Sequence, residues 1–581
     1  MKKLINILET LPEWAFLLIY LGTLFCYKTI VGIQGFDMCD EGWGLSAYQQ
    51  IFNDPTACEY QFLYYNTLLV GGLWNLVFGS LGYFGFRLLG ALFSTAIAYI
   101  VYFMLRKEVN RWCIFVGIML FNLGYGMVFH HNWMAAFGVA LSALFLYKGL
   151  SESNKWWVLS AGIMVGINIF SRIPNVSMFA LVLVFIPYYL YIKNFRATLR
   201  IALSAIIGVI IGIGIEMLLI YSLGHFDVFV DSITSGFSAA SAGDSTHSLS
   251  RTIGIYKGNY YTIFKQLAFF LSVPMYVYFA NKLIHNEKYR KIILWTAAAF
   301  YFLFIWKMAE STFMIYGICY LVYCVYILKH PQDKNAIYLI SIASIILFFL
   351  PFGSDYGVGN MGPSCIWIAT PLAMGLLYKL LQERDSITYR NARIFVCVFI
   401  LALAGKTVYS TSLNCYFDHG SRLKKTARPQ AALATTYTSP EKAAQIDTLM
   451  VHLQPLVKKN DYLLCYQCIS TINYLTETRP YLGNSCPWTY TAPDMERHFK
   501  KSKETITTLP VIVRNKSGIA SWEKPSKDWD NTSADDQWNF NTRKIELIQG
   551  FIRDNDYSIH WENDLFQILV PSTQKNKLPC S

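Results

Sequence analysis

Residues 35–55 read GFDMCDEGWGLSAYQQIFNDP and directly follow the first long apolar run of the chain. Three carboxylates, Asp37, Asp40 and Glu41, stand where that run would leave a bilayer. Behind them apolar side chains recur at the spacing of a helix lying in the membrane interface, at Trp43, Ala47, Tyr48, Ile51 and Phe52. The stretch therefore predicts acidic groups held just above the hydrocarbon, where a lipid headgroup would lie. The alternative is that they are ordinary solvated loop carboxylates.

The composition of the whole chain is that of a membrane protein. Of its 581 residues, 54% are hydrophobic and only 15% are charged, whereas soluble domains usually carry about 25% charged residues. The apolar residues cluster in runs of about the 20 residues that a bilayer-spanning helix needs. These observations predict a polytopic α-helical membrane protein. No cleavable signal peptide is expected, because no small-residue cleavage site ends the first apolar run.

Thirteen spans are predicted, near residues 14–33, 84–105, 112–129, 132–149, 156–171, 175–192, 200–223, 261–281, 291–306, 310–328, 336–352, 364–382 and 393–411. With the amino terminus inside, alternate connections carry most of the Lys and Arg residues, whereas residues 32–86 contain none. This positive-inside pattern favours a protein of the cytoplasmic (inner) membrane with its amino terminus in the cytoplasm. The apolar piece 64–78 is interpreted as a second interfacial helix, because a fourteenth span would reverse the pattern.

The tail of the chain differs from the rest, since its apolar runs are shorter and its charges denser. The sequence therefore predicts a transmembrane domain, residues 1–412 with an acidic first outer loop at 34–83, followed by an extracytoplasmic C-terminal domain, residues 413–581. Helical and strand-like patterns alternate in this tail, which predicts a small α/β or α+β fold. The helical patterns lie near 441–457 and 543–553, and the strand-like runs lie at 462–466, 509–513 and 564–570.

Few cations remain on the predicted outer side, and they are candidates to bind a phosphate or pyrophosphate headgroup. They are Arg87, Arg172, Arg251, Lys257 and Lys307. Each of them could instead extend toward anionic lipid at the interface.

Three further outer features are candidate parts of a site. The Ser- and Gly-rich segment 224–260 is predicted to be a mobile lid or an idle flexible loop. The loop 351–363 packs four glycines around Asp355 and Asn360, which suits close approach of a ligand or a tight re-entrant turn. His131 lies at an outer span end, where it could contact substrate or metal or anchor the span at the interface.

Seven cysteines are predicted to lie outside the spans: Cys39, Cys58, Cys415, Cys465, Cys468, Cys486 and Cys580. An oxidising compartment would allow a disulfide between Cys39 and Cys58 or between Cys468 and Cys486. The single CYQC motif at 465–468 falls in a strand-like run where its side chains would diverge. Packing or a structural disulfide is therefore favoured over zinc or redox chemistry.

The acids and cations together suit chemistry on a lipid-phosphate-linked sugar. Such a reaction needs a cationic cradle for the phosphate leaving group and a carboxylate base for the acceptor hydroxyl. Asp40 or Asp37 could be that base, and Glu41 could orient it or join Asp40 in binding a divalent cation. Nucleotide sugars are made inside the cell, so a lipid-borne donor is expected here. The net charge of +12 does not indicate nucleic acid, because the basic residues follow the membrane topology.

Four features follow one another at the start of this chain. They are a first span, an outer loop with the pair Asp40-Glu41, an interfacial helix, and an arginine in the stretch GFRLL at 85–89. This order resembles the GT-C superfamily of integral-membrane glycosyltransferases, and within it the glycosyltransferase family 39-like branch of protein O-mannosyltransferases and aminoarabinose transferases. The resemblance implies an inverting transfer of a sugar from a polyprenyl-phosphate donor to a glycan, lipid or protein acceptor, with Asp40 as the base.

Many members of that branch carry a Lys-Pro-Pro-like motif where this chain reads FLYYNT at 62–67. One of the isolated arginines, or Lys307, would then have to hold the phosphate. Two other functions remain open: a transporter or flippase, and a lipid-linked glycan ligase or polymerase. No internal repeat of the kind common in transporters is found.

Overall fold

The computed structural model describes residues 7–122, 128–241, 249–383, 387–517, 529–530 and 541–572. Its amino-terminal two thirds are built from helices. They are α1 (Glu13–Gly32), α2 (Asp40–Gln50), α3 (Tyr65–Phe78), α4 (Gly82–Leu105), α5 (Arg111–Asn122), α6 (His131–Ser151), α7 (Lys155–Ile169), α8 (Phe185–Ile192), α9 (Phe195–Ser222), α10 (Phe226–Ser241), α11 (Leu249–Leu283), α12 (Glu287–Met308), α13 (Ser311–Lys329), α14 (Lys334–Phe349), α15 (Val358–Gln382) and α16 (Ile387–Leu413). Two 3₁₀ helices, Pro55–Tyr64 and Ile173–Val184, precede α3 and α8.

The protein is a polytopic helical membrane protein. Within the described residues, ten helical segments are long and apolar enough to cross a membrane, and three shorter apolar helices accompany them. These helices fall at the positions of the thirteen predicted spans. Many large apolar side chains on them are exposed, including Leu18, Ile210 and Leu303, as expected for surfaces that face lipid.

The interfacial helices of the first loop also form. Helix α3 has 14 residues, about 21 Å at 1.5 Å per residue, which is shorter than the roughly 30 Å hydrocarbon core. It is separated from α4 by a tight bend at which Gly82 has a φ of +57° and lies against the backbone of Leu433. The structure therefore supports treating α3 as a helix outside the thirteen spans.

The segment 224–260, expected to be a flexible loop, is largely helical in its described part. Helix α10 occupies Phe226–Ser241, and α11 begins at Leu249. Helix α10 buries Phe229, Ser232 and Ser235, with the ring of Phe229 stacked on Phe170 at a centroid distance of 5.7 Å. The described part of this segment is helical and not a loop, because apolar residues at helical spacing outweigh the Ser and Gly content. Residues 242–248 lie outside the described residues, and the expectation of a lid stays a prediction.

The chain after α16, here called the C-terminal region (residues 414–572), contains a mixed sheet. Its helices are α17 (Pro440–Leu453), α18 (Thr471–Leu475), α19 (Ala492–Thr505) and α20 (Asn541–Asp554), and its strands are β1 (Asn414–Cys415), β2 (Asp418–His419), β3 (Tyr462–Tyr466), β4 (Arg479–Pro480), β5 (Val511–Asn515), β6 (Tyr557–Glu562) and β7 (Phe566–Pro571). The five-stranded sheet has the order β4-β3-β5-β7-β6. Strand β3 runs parallel to β4 and β5, and β7 runs antiparallel to β5 and β6.

The structure confirms a small C-terminal sheet region that mixes helices and strands. Asn563 lies in the turn between β6 and β7, where its side-chain oxygen accepts the backbone N–H groups of Leu565 and Phe566. Strand β6 itself was missed. It lies at the sheet edge, and its side chains are mostly exposed or half-buried, so it lacks the apolar alternation of a strand with one buried face.

The C-terminal region packs directly on the first loop. Gly35 N donates to Tyr437 O (2.8 Å), Thr471 N donates to Met38 O (3.2 Å), and Trp43 Nε1 donates to Asn484 Oδ1 (2.9 Å). Buried side chains of the spans, the first loop and the C-terminal region belong to one continuous hydrophobic core. The division into domains at residues 412/413 therefore stays a prediction.

Candidate functional site

Asp37 fixes the start of α2. Its two carboxylate oxygens accept the backbone N–H groups of Cys39 and Glu41, both at 2.7 Å, as a capping residue does for the unpaired donors of a helix start. The side chain is 1% exposed. Burial raises the pKa of Asp37, and the charges of Asp40 and Glu41 raise it further, while the two backbone N–H groups oppose the shift. Asp37 holds the loop and does not face open space.

Glu41 and Arg87 are each other's partners. The guanidinium binds the carboxylate through two hydrogen bonds, Nε to Oε1 (2.9 Å) and Nη2 to Oε2 (2.8 Å). Its Nη1 donates to the backbone carbonyls of Gly32 and Gln34, each at 2.9 Å. Both side chains are almost fully buried. Four of the five N–H donors of Arg87 are thus used inside the protein, and Glu41 has no free face for a metal ion.

Asp40, by contrast, is exposed. It is the first residue of α2, and the hydroxyl of Tyr416 donates to its Oδ2 at 2.6 Å. Desolvation by the surrounding protein raises the pKa of Asp40 above its ordinary value, and the neighbouring Cys486 raises this pKa further. The hydrogen bond from Tyr416 lowers the pKa but does not cancel the increase. Of Asp37, Asp40 and Glu41, Asp40 is the accessible one, and its raised pKa suits a proton acceptor.

A cavity of about 400 Å³ lies beside Tyr416, between the helices and the start of the C-terminal region. We call it the basic cavity, because Arg87, Lys406 and Arg422 are among its lining residues. Its apolar walls come from Leu120, Val128, Ile315, Pro363, Ile366 and Leu403, and its other polar walls from Gln34, Ser311, Thr312, Thr407, Ser410, Thr411, Asn414, Cys415 and Tyr416. Cationic and apolar walls together suit a ligand that combines a phosphate with a hydrocarbon chain.

Backbone carbonyls position two of the cavity's cations. Lys406 Nζ donates to Ala309 O at 2.6 Å. Arg422 donates from Nε to Thr411 O (2.6 Å) and from Nη1 to Val31 O (2.9 Å). Neither residue was a sequence candidate. Lys406 is a cation within the predicted span 393–411, well past Arg393 at its first residue, and could have been found on that ground. No sequence feature marked Arg422 or Tyr416.

A second polar cluster contains three of the sequence candidates, His131, Arg172 and Asp355. The His131 ring stacks on Tyr64 at a centroid distance of 4.3 Å and meets Trp43 of α2 edge-on at 6.2 Å. Arg172 is buried, and its Nη1 donates to Leu350 O at 3.4 Å. Burial lowers the pKa of Arg172, while Tyr64 and Asp355 act in the opposite direction. The cluster lies next to α2, which carries Asp40.

The remaining candidates lie elsewhere. Lys257, Lys307 and Asn360 are exposed, and Arg251 is partly exposed in α11. None of these four is among the described residues that line the basic cavity. A role for them in substrate binding stays a prediction.

Of the two cysteine pairings expected from the sequence, Cys468 with Cys486 fits the structure, since the two are neighbours, and Cys39 with Cys58 does not. Cys58 lies with its sulfur 3.4 Å from Pro55 O, whereas Cys39 lies beside Cys468 and Cys486. We call these three residues the thiol cluster. A pairing of Cys39 with Cys58 is therefore not supported, and Cys580 lies outside the described residues. Cys465 is buried in β3 apart from the cluster, as the predicted divergence of the CYQC side chains requires.

No protein-family model matches this chain, and no curated protein sequence matches it. Among solved structures it aligns with ArnT from Cupriavidus metallidurans in the apo state, with a TM-score of 0.40 and 10% sequence identity, over 96% of this chain and 97% of that chain. A likeness this distant assigns neither a family nor an activity. The function is therefore argued from the contacts of the site alone.

Proposed function

We propose that the protein is an inverting glycosyltransferase that moves a sugar from a polyprenyl-phosphate donor to a glycan, lipid or protein acceptor. One observation carries the proposal. The accessible carboxylate of Asp40 is hydrogen-bonded to Tyr416, and Tyr416 lines a cavity with three cations and apolar walls. A carboxylate, a cationic cradle and an apolar surface are the three things that transfer from a lipid phosphate requires.

Asp40 is assigned the role of general base. The acceptor oxygen forms a bond to the anomeric carbon while the bond from that carbon to the phosphate oxygen breaks, and Asp40 takes the acceptor's proton. Since Asp37 holds the start of α2 through two backbone hydrogen bonds, it positions Asp40 without touching substrate. Glu41 and Arg87, paired in the protein interior, have the same indirect role.

Lys406 and Arg422 are assigned to the phosphate leaving group. Both line the basic cavity and carry N–H donors beyond the ones already bound to carbonyls. Arg87 also lines the cavity, but its charge is paired with Glu41 and one of its donors is left, so it is not assigned to the phosphate. The leaving phosphate dianion is stabilised where those charges converge, and the hydrocarbon chain lies along the apolar wall.

The second polar cluster is assigned to the hydroxyl-bearing parts of the substrates. Arg172 supplies donors, Asp355 supplies acceptors, and the rings of Tyr64 and His131 form a flat surface beside α2. The site is placed on the outer membrane face, with the amino terminus in the cytoplasm, on the strength of the Lys and Arg distribution.

A comparison of lipid-linked sugars and surface glycans by mass spectrometry tests the proposal. Strains lacking the protein are complemented with wild type, Asp40→Asn, Lys406→Gln or the control Asp227→Asn, which changes an exposed carboxylate at the start of α10. Asp40→Asn should lower transfer by about 10²–10⁴-fold, the usual contribution of a general base, with matched expression. The polyprenyl-phosphate sugar should accumulate as the glycan product disappears.

Lys406→Gln should weaken donor use, seen as a raised KM for the polyprenyl-phosphate sugar in membranes. Asp227→Asn should behave as wild type. If Asp40→Asn leaves every glycan and lipid-linked sugar unchanged, Asp40 is not the base and the transferase proposal fails. Loss of a product from one side of the membrane with no change in transfer chemistry would favour a transporter.

A further inference from the structure

The thiol cluster joins three distant parts of the chain. Cys39 directly precedes α2, Cys468 follows β3, and Cys486 precedes the 3₁₀ turn Pro487–Thr489. Their three sulfur atoms all lie within 4.8 Å of one another. Cys468 and Cys486 are buried, and Cys39 is partly exposed. Each sulfur therefore has both other sulfurs as neighbours.

The backbone around the cluster is arranged to bring these sulfurs together. Gln467 and Cys468 both have positive φ angles, +71° and +49°, a conformation that is unfavourable for residues other than glycine. Ser470 Oγ donates to Cys39 O at 2.6 Å, and Cys486 N donates to Asn484 Oδ1 at 3.0 Å. The turn after β3 thus directs Cys468 toward Cys39.

We propose that Cys39, Cys468 and Cys486 bind one zinc ion. Zinc–sulfur bonds of about 2.3 Å place tetrahedral sulfur ligands about 3.8 Å apart, which lies inside the separation seen here. Thiolates select zinc and copper(I) among available metals. Zinc with three protein ligands completes its coordination with water, and the partial exposure of Cys39 allows this, so the carboxylate of Asp40 is not needed as a ligand. Binding transfers the three thiol protons to solvent.

Such an ion would fasten the residue before Asp40 to two points of the C-terminal region. The carboxylate would then keep its place beside Tyr416 while substrates exchange. The inference rests on the sulfur geometry and not on the proposed transfer reaction, so either can fail without the other.

The competing chemistry is a disulfide between Cys468 and Cys486, which would leave Cys39 as a free thiol. Metal content and intact mass of the full-length protein in detergent separate the two. We expect about one zinc per chain by elemental analysis and an intact mass with all thiols reduced. The control Cys465→Ser, at the other cysteine of the CYQC motif, should retain its zinc. Cys39→Ser, Cys468→Ser and Cys486→Ser should each lose at least tenfold in zinc content.

Either of two results with the variants and the intact mass would overturn the proposal. One is a mass lower by the two hydrogens of a disulfide, with a cross-linked peptide containing Cys468 and Cys486. The other is zinc content equal in all variants. A measurement on wild-type protein alone guards against variants that do not fold. Zinc is removed by a chelator and Co²⁺ is added. A thiolate-to-cobalt charge-transfer absorption supports the proposed site. If the protein still binds Co²⁺ but shows no such absorption, the proposal is overturned.

Discussion

At the scale of the residue, three neighbouring acids have three different environments. Asp37 caps α2 from a buried position, Glu41 is bound on both oxygens by Arg87, and Asp40 reaches open space. Separating one partner of a buried pair such as Glu41–Arg87 leaves an uncompensated charge and typically costs about 3–5 kcal/mol. Loss of activity on changing Glu41 or Arg87 would thus report on stability, and only Asp40 is placed to report on proton transfer.

The pH dependence of transfer should be set by Asp40. A base works in its deprotonated form, so the rate should rise with pH through the raised pKa of this carboxyl. The hydrogen bond from Tyr416 lowers that pKa, so Tyr416→Phe should move the rise in rate to higher pH. The pH profile of sugar transfer in membranes measures this, and Tyr356→Phe, at another exposed tyrosine, is the control. A Tyr416→Phe profile shifted to lower pH would contradict the assignment of Asp40 as base.

At the scale of the element, the position of α2 depends on close contact with α18 of the C-terminal region. A Cβ atom on Gly42 would overlap the backbone of Thr471. The Oγ1 of that threonine donates to Asp37 O at 2.8 Å, and the hydroxyl of Tyr83 binds both groups. The turn that carries Asp40 is therefore held by a contact that only glycine allows at position 42.

Gly42→Ala should destabilise the protein by about 1–3 kcal/mol, the range for overpacking, although alanine by itself favours a helix by up to about 1 kcal/mol. Gly44→Ala is the matched control in the same helix, because the three atoms nearest to its Cβ would belong to the side chain of Tyr48, the closest at 3.2 Å, and none of them to the backbone. Thermal unfolding in detergent measures both. Equal stabilities of the two variants would contradict this prediction, because they would show that α2 can move away from α18 without a loss in the free energy of unfolding.

At the scale of the whole molecule, buried or half-buried ion pairs connect the helices, the first loop and the C-terminal region. Lys501 of α19 binds Glu59 of the first loop at 2.7 Å and Asp231 of α10 at 2.8 Å. Asp418 is fully buried between Lys425 (2.8 Å) and Lys442 (2.7 Å) and also accepts the backbone N–H of Phe36 at 2.9 Å. The C-terminal region is thus attached to the first loop by the pair Lys501–Glu59, whose carboxylate is buried, and by the hydrogen bond from Phe36 N to the buried Asp418, whereas the pair Lys501–Asp231 is exposed.

Acid should weaken this attachment. Burial raises the pKa of Asp418, but hydrogen bonds from Lys425 and Lys442 outweigh it and leave the pKa below its ordinary 3.8. A carboxylate whose pKa is lower in the folded than in the unfolded protein stabilises the folded state. This stabilisation is fully present above the unfolded-state pKa of about 3.8 and is lost as the pH falls through the folded-state pKa. Asp418→Asn should remove that contribution at neutral pH, by about 3–5 kcal/mol, and the difference from wild type should narrow in acid.

Limited proteolysis of the first loop at graded pH measures this difference. The control Asp564→Asn changes an exposed carboxylate of the same region and should match wild type at every pH. A stability difference between wild type and Asp418→Asn that stays constant down to pH 2 would contradict the linkage.

The sequence by itself determined the membrane class and the positions of the thirteen apolar helices, and it predicted a group of acids, Asp37, Asp40 and Glu41, at the start of the first loop. Length and hydrophobicity of a segment are local properties, and a bilayer requires every span to satisfy its own backbone. Tertiary structure alone decided which charged side chains are bound to partners within the protein and which can reach a ligand. Arg87 and Glu41 are 46 residues apart, and Cys39, Cys468 and Cys486 come from opposite ends of the chain. Tyr416, Lys406 and Arg422 face the basic cavity only because the C-terminal region folds back over the first loop, and such long-range packing leaves no periodic signal in the residues that it joins.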